Sequence, residues 1–331
     1  MNKAEFLAVK QVSDFINWLT LIIDEPEKYP LDHKWRSVNS SACFDQGEEW
    51  KCSSLQDATM KYKWPAKKLD GSIVYDLSDT QSFLDELSSS LKASVEKGDG
   101  VLKSVNDILS WGGVKDKKEI ARDIRLNLDN DEQRAVFLRE VRERVTRPDF
   151  DPLQDTSIEA EGRVIPSIIA DSGTTKVFSL FIEEFAIYDS RVGAALGMLL
   201  SHYMKASGMK ESQLHEALRF GWQDSPNKDY SRPPKNDGSR FNLGRAKQKR
   251  NPNALLNRNV FPYLANVSNA KRLAMNTYLN WILQSAVRQS TILKDLKPHN
   301  AVRNLEAALF MIGYCVNPQF NDNYWRHVDS K

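Results

Sequence analysis

Two side chains in the middle of the chain have the types that cleavage of a glycosidic bond requires. Lys176 stands at the start of an apolar helix predicted over 176–184, where a partly desolvated amine can act as a nucleophile. Asp189 directly precedes a second predicted helix and stands where its N-cap belongs. A helix N-terminus favours the carboxylate form, and a carboxylate can stabilise a developing oxocarbenium ion. The pair is therefore a candidate nucleophile and a candidate stabilising carboxylate.

The residues before this pair predict a turn that suits phosphate binding. A short apolar helix over 164–171 is expected to lead into a tight turn at 172–175. Gly173 can adopt a positive φ there, and Thr174 or Thr175 can cap the next helix. Backbone amides at such a turn point outward and attract an anion. The pattern therefore predicts a helix-hairpin-helix.

This segment resembles the active-site segment of helix-hairpin-helix DNA glycosylases of the 8-oxoguanine type. The resemblance is carried by Gly173-Thr174-Thr175-Lys176, the apolar helix that follows, and Tyr188-Asp189-Ser190-Arg191. It implies that Lys176 attacks the anomeric carbon, that Asp189 assists, and that the turn with Gly173, Thr174 and Thr175 grips the DNA backbone. The target nucleotide would be flipped into a pocket. The implied activity is excision of a damaged or modified base, in repair or in defence against modified foreign DNA.

The same residues leave other interpretations open. With Lys176 as nucleophile, a Schiff base and strand nicking follow, whereas with Asp189 alone a water molecule attacks. Asp189 can also be only a helix cap, and Lys176 only an exposed side chain of a first turn. The protein would then be a non-catalytic DNA-binding module with a helix-hairpin-helix, or a helical protein-interaction domain.

A polar stretch from Asp224 to Asn259 supplies a second predicted DNA contact. It is rich in Pro and Gly, which predicts a loop, and basic side chains far outnumber acidic ones. Cations on a loop can lie along phosphates, and an aromatic ring can stack on bases. A solvated surface loop is the alternative. The predicted DNA-binding residues here, together with Arg191, are Arg240, Phe241, Arg245, Lys247, Lys249 and Arg250.

Composition limits the remaining function classes. The 331 residues carry a net charge of only +2, so any basic surface must be local. Three cysteines without close spacing, and five histidines without a paired motif, predict neither a disulfide framework nor a metal site. The chain lacks the glycine-rich nucleotide motifs and the serine-hydrolase motif, and no cofactor is predicted. The N-terminus does not resemble a signal peptide, and no apolar run is long enough for a bilayer, so we expect a cytoplasmic protein without membrane contact.

Periodicity predicts a mainly α fold, a multi-helix glycosylase-like domain that contains the helix-hairpin-helix. Apolar residues recur at helical spacing over 3–24, 83–95, 102–111, 131–147, 209–221, 269–293 and 300–313. Residues 27–75 are irregular and rich in Trp, with a short strand expected near 72–75. We therefore predict two domains, an N-terminal helix and Trp-rich irregular region over 1–78 and a helical domain over 79–331.

Overall fold

The computed structural model describes residues 1–37, 43–114, 120–224 and 249–318, and α-helix dominates them. The mainly helical class predicted from periodicity is therefore confirmed. In chain order the described α-helices are α1 (Lys3–Ala8), α2 (Lys10–Asp24), α3 (Leu55–Met60), α4 (Leu77–Lys97), α5 (Val101–Trp111), α6 (Asp131–Thr146), α7 (Thr174–Phe181), α8 (Ser190–Ser207), α9 (Asn269–Gln289) and α10 (Pro298–Ile312). None of these helices combines the length and apolar character that crossing a bilayer takes.

Strands occur only as short antiparallel pairs in the described residues. They are β1 (His33–Arg36) with β2 (Glu49–Cys52), β3 (Ala66–Lys67) with β4 (Ile73–Val74), and β5 (Ile158–Ala160) with β6 (Arg163–Ile165). Single turns of 3₁₀-helix lie at Glu211–Gln213, Glu216–Leu218, Pro252–Leu255 and Leu264–Asn266, and a π-helical turn at Asp123–Asn127. The strand expected near 72–75 is β4. Residues 27–75 carry β1, β2, α3 and β3 as well, so this region has more regular structure than its composition predicts.

The chain forms two compact units, and neither is continuous in sequence. The first contains residues 1–13, 62–188 and 268–303, and the second contains 14–61, 189–267 and 304–331. The predicted boundary between residues 78 and 79 falls inside the first unit. Both units therefore draw on the N-terminal and the C-terminal part of the chain.

Helix α4 organises the first unit and packs against α5, α6 and α7. Asp76 caps its start by accepting from the Asp79 amide at 2.8 Å, and Gly98 ends it with a φ of 69°. Its buried face repeats every four residues, as expected of an amphipathic helix. The residues of this face are Phe83, Leu87, Leu91 and Val95.

Two buried asparagines of α9 hold the extended segment that follows α7 in the first unit. The Ala186 amide donates to Asn280 Oδ1 at 2.5 Å, and Asn276 Nδ2 donates to the Ala186 carbonyl at 3.1 Å. Asn280 Nδ2 in turn donates to the Asn276 carbonyl at 2.7 Å. Ala186 and Asn276 are fully buried, and Asn280 is 2% exposed. Both backbone groups of Ala186 thus have side-chain partners where water is excluded.

The core of the second unit includes an aromatic cluster around Trp35 of β1. Trp35 is fully buried and stacks on Trp50 of β2 at a centroid distance of 5.3 Å. The Tyr314 ring lies 4.2 Å from the Trp35 ring, and Trp35 Nε1 donates to the Met311 carbonyl at 3.0 Å. The end of α10 is therefore fixed to the β1–β2 hairpin.

The helix predicted over 164–171 does not exist, and the helix-hairpin-helix that depended on it is not confirmed. Residues 163–165 form β6, which pairs with β5 across a turn at Glu161 and Gly162, both with positive φ. This conformation matches a two-residue hairpin turn. Pro166 then pushes the residue before it toward extended backbone. The helix predicted over 209–221 is also wrong, because only two 3₁₀ turns occur there.

Candidate functional site

Asp189 lies at the N-terminus of α8 in the second unit. It is the N-cap, and its Oδ1 accepts from the Arg191 and Val192 amides at 2.8 and 3.1 Å. The predicted capping role is therefore confirmed. The side chain is half-buried, whereas the helix behind it is almost wholly buried. A carboxylate is thus fixed at the positive end of a helix dipole and next to solvent.

Three cations of the second unit lie beside this helix start. The buried Arg250 donates from Nη1 to Ser190 Oγ at 2.7 Å, one residue after Asp189. The Arg191 guanidinium lies over the Phe310 ring at 4.2 Å. Its carbon also lies 5.5 Å from the Tyr314 ring centroid, and Lys249 Nζ lies 3.9 Å from the same centroid. We call Arg191, Lys249 and Arg250 the cation cluster.

The backbone around the cation cluster is fixed by close contacts. The Lys249 carbonyl accepts from the Val316 and Asn317 amides at 2.8 and 3.0 Å. The Arg250 amide donates to Asp224 Oδ1 at 3.1 Å. Gly313, at the end of α10, lies directly against the Arg191 backbone, where a Cβ atom would overlap it. Three chain segments thus meet at the start of α8.

Desolvation perturbs the pKa of Lys249, the lysine of this cluster. Burial, helped by the charges of Arg250 and Arg191, lowers its pKa from the ordinary 10.5 to about 7. Lys249 forms no ion pair with a carboxylate among the described residues. Nearby, burial raises the pKa of the Cys315 thiol to about 12, so this thiol stays protonated at neutral pH. Burial therefore shifts the Lys249 amine toward its neutral form.

Lys176 belongs to the first unit and has a different environment. It lies in the first turn of α7 and is half-buried. Its Nζ donates to the Ser172 carbonyl at 2.7 Å, and its methylene groups lie across Gly112 of the α5 terminus. The ammonium is thus tied to the turn that precedes its own helix. Its predicted role as nucleophile stays a prediction.

In the turn that was predicted to bind phosphate, the backbone amides are bonded to a carboxylate of the chain itself. Asp171 Oδ1 accepts from the Gly173 and Thr174 amides, each at 2.8 Å, and from Thr174 Oγ1 at 3.1 Å. The N-cap residue of α7 is therefore Gly173, and not Thr174 or Thr175, and Asp171 accepts from the amides at this helix start. Gly173 has a φ of −85°, so the predicted positive φ is wrong. Its lack of a side chain instead allows close packing against Ile120.

The burial of this turn counts against its predicted contact with DNA. Gly173, Thr174 and Thr175 are all buried, and Thr175 Oγ1 donates to the Tyr188 carbonyl at 3.2 Å. Arg250, which lies in the polar stretch from Asp224 to Asn259, is 6% exposed and makes its contacts inside the protein. The other predicted DNA-binding residues of this stretch lie outside the described residues. They are Arg240, Phe241, Arg245 and Lys247.

Of the predicted site residues, the structure brings together Asp189, Arg191, Lys249 and Arg250 in the second unit. Sequence reasoning missed Asp224 and Tyr314, which complete this group. A signal for Asp224 was the position of a lone acid just before a basic stretch. Tyr314 gave no such signal, because its contact with Lys249 depends on the fold.

Comparison with known proteins identifies no relative. No family model matches the chain, and neither a curated protein nor a solved structure matches it. The functional argument therefore depends on the geometry of the chain's own residues.

Proposed function

We propose that the protein is a DNA glycosylase-like enzyme that excises a damaged or modified base, with Asp189 as the catalytic carboxylate. The observation that carries the proposal is the position of Asp189, a carboxylate fixed through one oxygen by two amides at the start of α8. Departure of a base leaves positive charge on the sugar at C1′. A carboxylate held in place before the reaction stabilises that charge without reorganisation.

The cation cluster supports DNA as the substrate. Arg191 and Arg250 concentrate positive charge beside Asp189, although the net charge of the whole chain is only +2. A local positive field attracts the phosphate backbone. A carboxylate within such a field favours a substrate that is anionic along its backbone and becomes cationic at the reacting sugar.

The test is base release from duplex oligonucleotides, each with one modified base. The set includes oxidised, deaminated and alkylated bases, which represent repair, and glycosylated bases, which represent foreign DNA. We expect Asp189→Asn to slow release by about 100-fold or more, since the amide keeps the cap but loses the charge. DNA retention should stay within twofold. The matched control is Asp76→Asn, which alters the cap of α4 in the same way and should keep full activity.

Other outcomes point to the alternative functions. DNA retention that falls steeply with salt, without release of any base, would identify a binding module. No retention at physiological salt would favour a protein-interaction domain. Full activity of Asp189→Asn would refute the role given to the carboxylate.

A further inference from the structure

We propose that a polar cavity in the first unit binds a small zwitterion, namely a free α-amino acid. The cavity has a volume of about 140 Å³ and lies between the N-terminal parts of α4 and α10. All the residues that line it belong to the first unit, whereas Asp189 and the cation cluster belong to the second. The cavity is therefore a separate site, and its ligand does not depend on the proposed function.

The size and lining of this cavity restrict its ligand to a small polar molecule. Pockets for drug-sized ligands have about 300–1,000 Å³, so a ligand of this cavity has on the order of five to ten non-hydrogen atoms. Of the described residues that line it, only Leu84 is apolar. The others carry hydroxyl, amide, imidazole or charged groups. Hydrogen bonds and charge, rather than apolar contact, must therefore supply the binding energy.

Arg303 of α10 supplies a fixed positive charge at the inner end of the cavity. This residue is 6% exposed, whereas Ser78, Ser82 and Asn300 on the same cavity are exposed. Its Nη2 donates to the Ser179 carbonyl at 2.9 Å, which fixes the guanidinium in place. A guanidinium presents its donors in a planar fork that matches a carboxylate. Arg303 is therefore the group that would bind the carboxylate of the ligand.

Asp85 of α4 supplies a negative charge on the same cavity, and it is not paired with Arg303. Asp85 is exposed, and its carboxylate forms neither a hydrogen bond nor an ion pair with another described residue. Two opposite charges thus line one small cavity without contact between them. A molecule with a carboxylate at one end and an ammonium at the other bridges such a pair, whereas a simple anion would be repelled by Asp85.

His299 adds a neutral donor to the lining rather than a second positive charge. Burial and the charge of Arg303 lower the pKa of this imidazole below the ordinary 6.5, against a smaller opposite effect of Asp85. Its Nδ1 accepts from the Glu184 amide at 3.4 Å, so Nε2 carries the proton of the neutral ring. At neutral pH the lining side chains therefore carry one positive and one negative charge, which is the charge pattern that complements a zwitterion.

The experiment titrates the full chain with three matched probes and follows the backbone amide shifts by NMR. L-alanine carries both charges, propionate carries only the carboxylate, and ethylamine carries only the ammonium. We expect L-alanine to shift the amides of residues 78–85 and 299–303 with a dissociation constant in the millimolar range, as for a ligand of so few atoms. Its dissociation constant should be at least tenfold lower than that of propionate or of ethylamine.

Variants of the two charged residues test each end of the ligand. Asp85→Asn should weaken L-alanine binding at least tenfold without weakening propionate binding, because it removes only the partner of the ammonium. Arg303→Lys keeps the charge but loses the planar fork, so it should weaken the binding of both L-alanine and propionate. The matched control is Glu86→Gln, which removes an exposed carboxylate of α4 that does not line the cavity and should leave both affinities within twofold.

Three outcomes would overturn the zwitterion site. Equal affinities for L-alanine and propionate would identify an anion site instead. The absence of any shift in these two segments, with each probe up to about 50 mM, would mean that the cavity holds only water. Equal losses of L-alanine binding in Asp85→Asn and Glu86→Gln would show that Asp85 has no specific role. The probe comparison needs no variant, so it decides even if Arg303→Lys does not fold.

Discussion

Replacement of Asn280 by alanine tests whether side-chain hydrogen bonds hold the extended segment around Ala186. Asn280 accepts from the buried Ala186 amide at 2.5 Å and donates to the Asn276 carbonyl at 2.7 Å. Asn280→Ala removes the acceptor but leaves the Ala186 amide buried, away from bulk water. The variant therefore leaves an unpaired donor in the first unit.

The expected loss follows from two contributions. A buried polar group without a partner costs about 1–3 kcal/mol, and the cavity left by the removed amide adds about 1 kcal/mol. We expect the free energy of unfolding to fall by about 2–4 kcal/mol. Asn276→Ala removes the partner of the Ala186 carbonyl instead. Because the two asparagines share one network, the double variant should lose less than the sum of the single losses.

Urea denaturation followed by circular dichroism and by tryptophan fluorescence measures the change. Gln284→Ala is the matched control, since Gln284 lies one turn further along α9 and donates to the Glu184 carbonyl at 3.1 Å while half-buried. Water can replace that bond, so the control should lose less than about 1 kcal/mol. Equal losses in Asn280→Ala and Gln284→Ala would refute the reasoning, because burial would then make no difference.

Three further predictions concern the second unit. Gly313→Ala should destabilise the protein by about 1–3 kcal/mol in urea denaturation, since its new methyl group would overlap the Arg191 backbone, and an unchanged midpoint would contradict that contact. Trp35→Phe replaces the buried indole by a smaller phenyl ring and loses the donor to Met311, and it should cost about 1–3 kcal/mol by the same assay. The folded-state pKa of Lys249, about 7, lies below its ordinary 10.5, so the charged side chain destabilises the fold fully below pH 7. Lys249→Met should therefore be more stable than the unchanged protein by about 2–4 kcal/mol at pH 6. This difference in the free energy of unfolding should become smaller as the pH rises from 7 to 10.5. A difference that does not change with pH would refute the lowered pKa of Lys249.

Helices with strong local signals could be predicted from the sequence. The four-residue spacing from Phe83 to Val95 and the glycine at 98 define α4, because both its packing face and its end are encoded locally. The N-cap role of Asp189 is of the same kind. In these cases neighbouring residues determine the structure.

Residues 209–221 could not be predicted because side chains compete with the helix there. His215 Nδ1 accepts from the Ala217 amide, and Arg219 donates from Nε and Nη2 to the Leu214 carbonyl. These bonds satisfy backbone groups that an α-helix would have used. The apolar spacing alone gives no measure of that competition.

The cation cluster was beyond prediction for a different reason. Arg191, Lys249 and Tyr314 are far apart in sequence, and only the fold brings them together. The sequence placed Lys249 and Arg250 in a polar loop, and their burial depends on contacts with α8 and with the residues after α10. A lysine with a lowered pKa therefore gives no sign in the sequence.

The discontinuous make-up of the two units has a consequence for synthesis on the ribosome. The first unit needs residues 268–303, and the second needs residues from 304 onward, including Met311, to which Trp35 is bonded. A nascent chain that ends before residue 268 can complete neither unit. Apolar residues near the N-terminus therefore stay exposed until the C-terminal residues that cover them have been translated. Contacts across such long loops also slow the search for the native state. Chaperones that hold unfinished chains should therefore matter more for this protein than for one whose domains follow one another along the sequence.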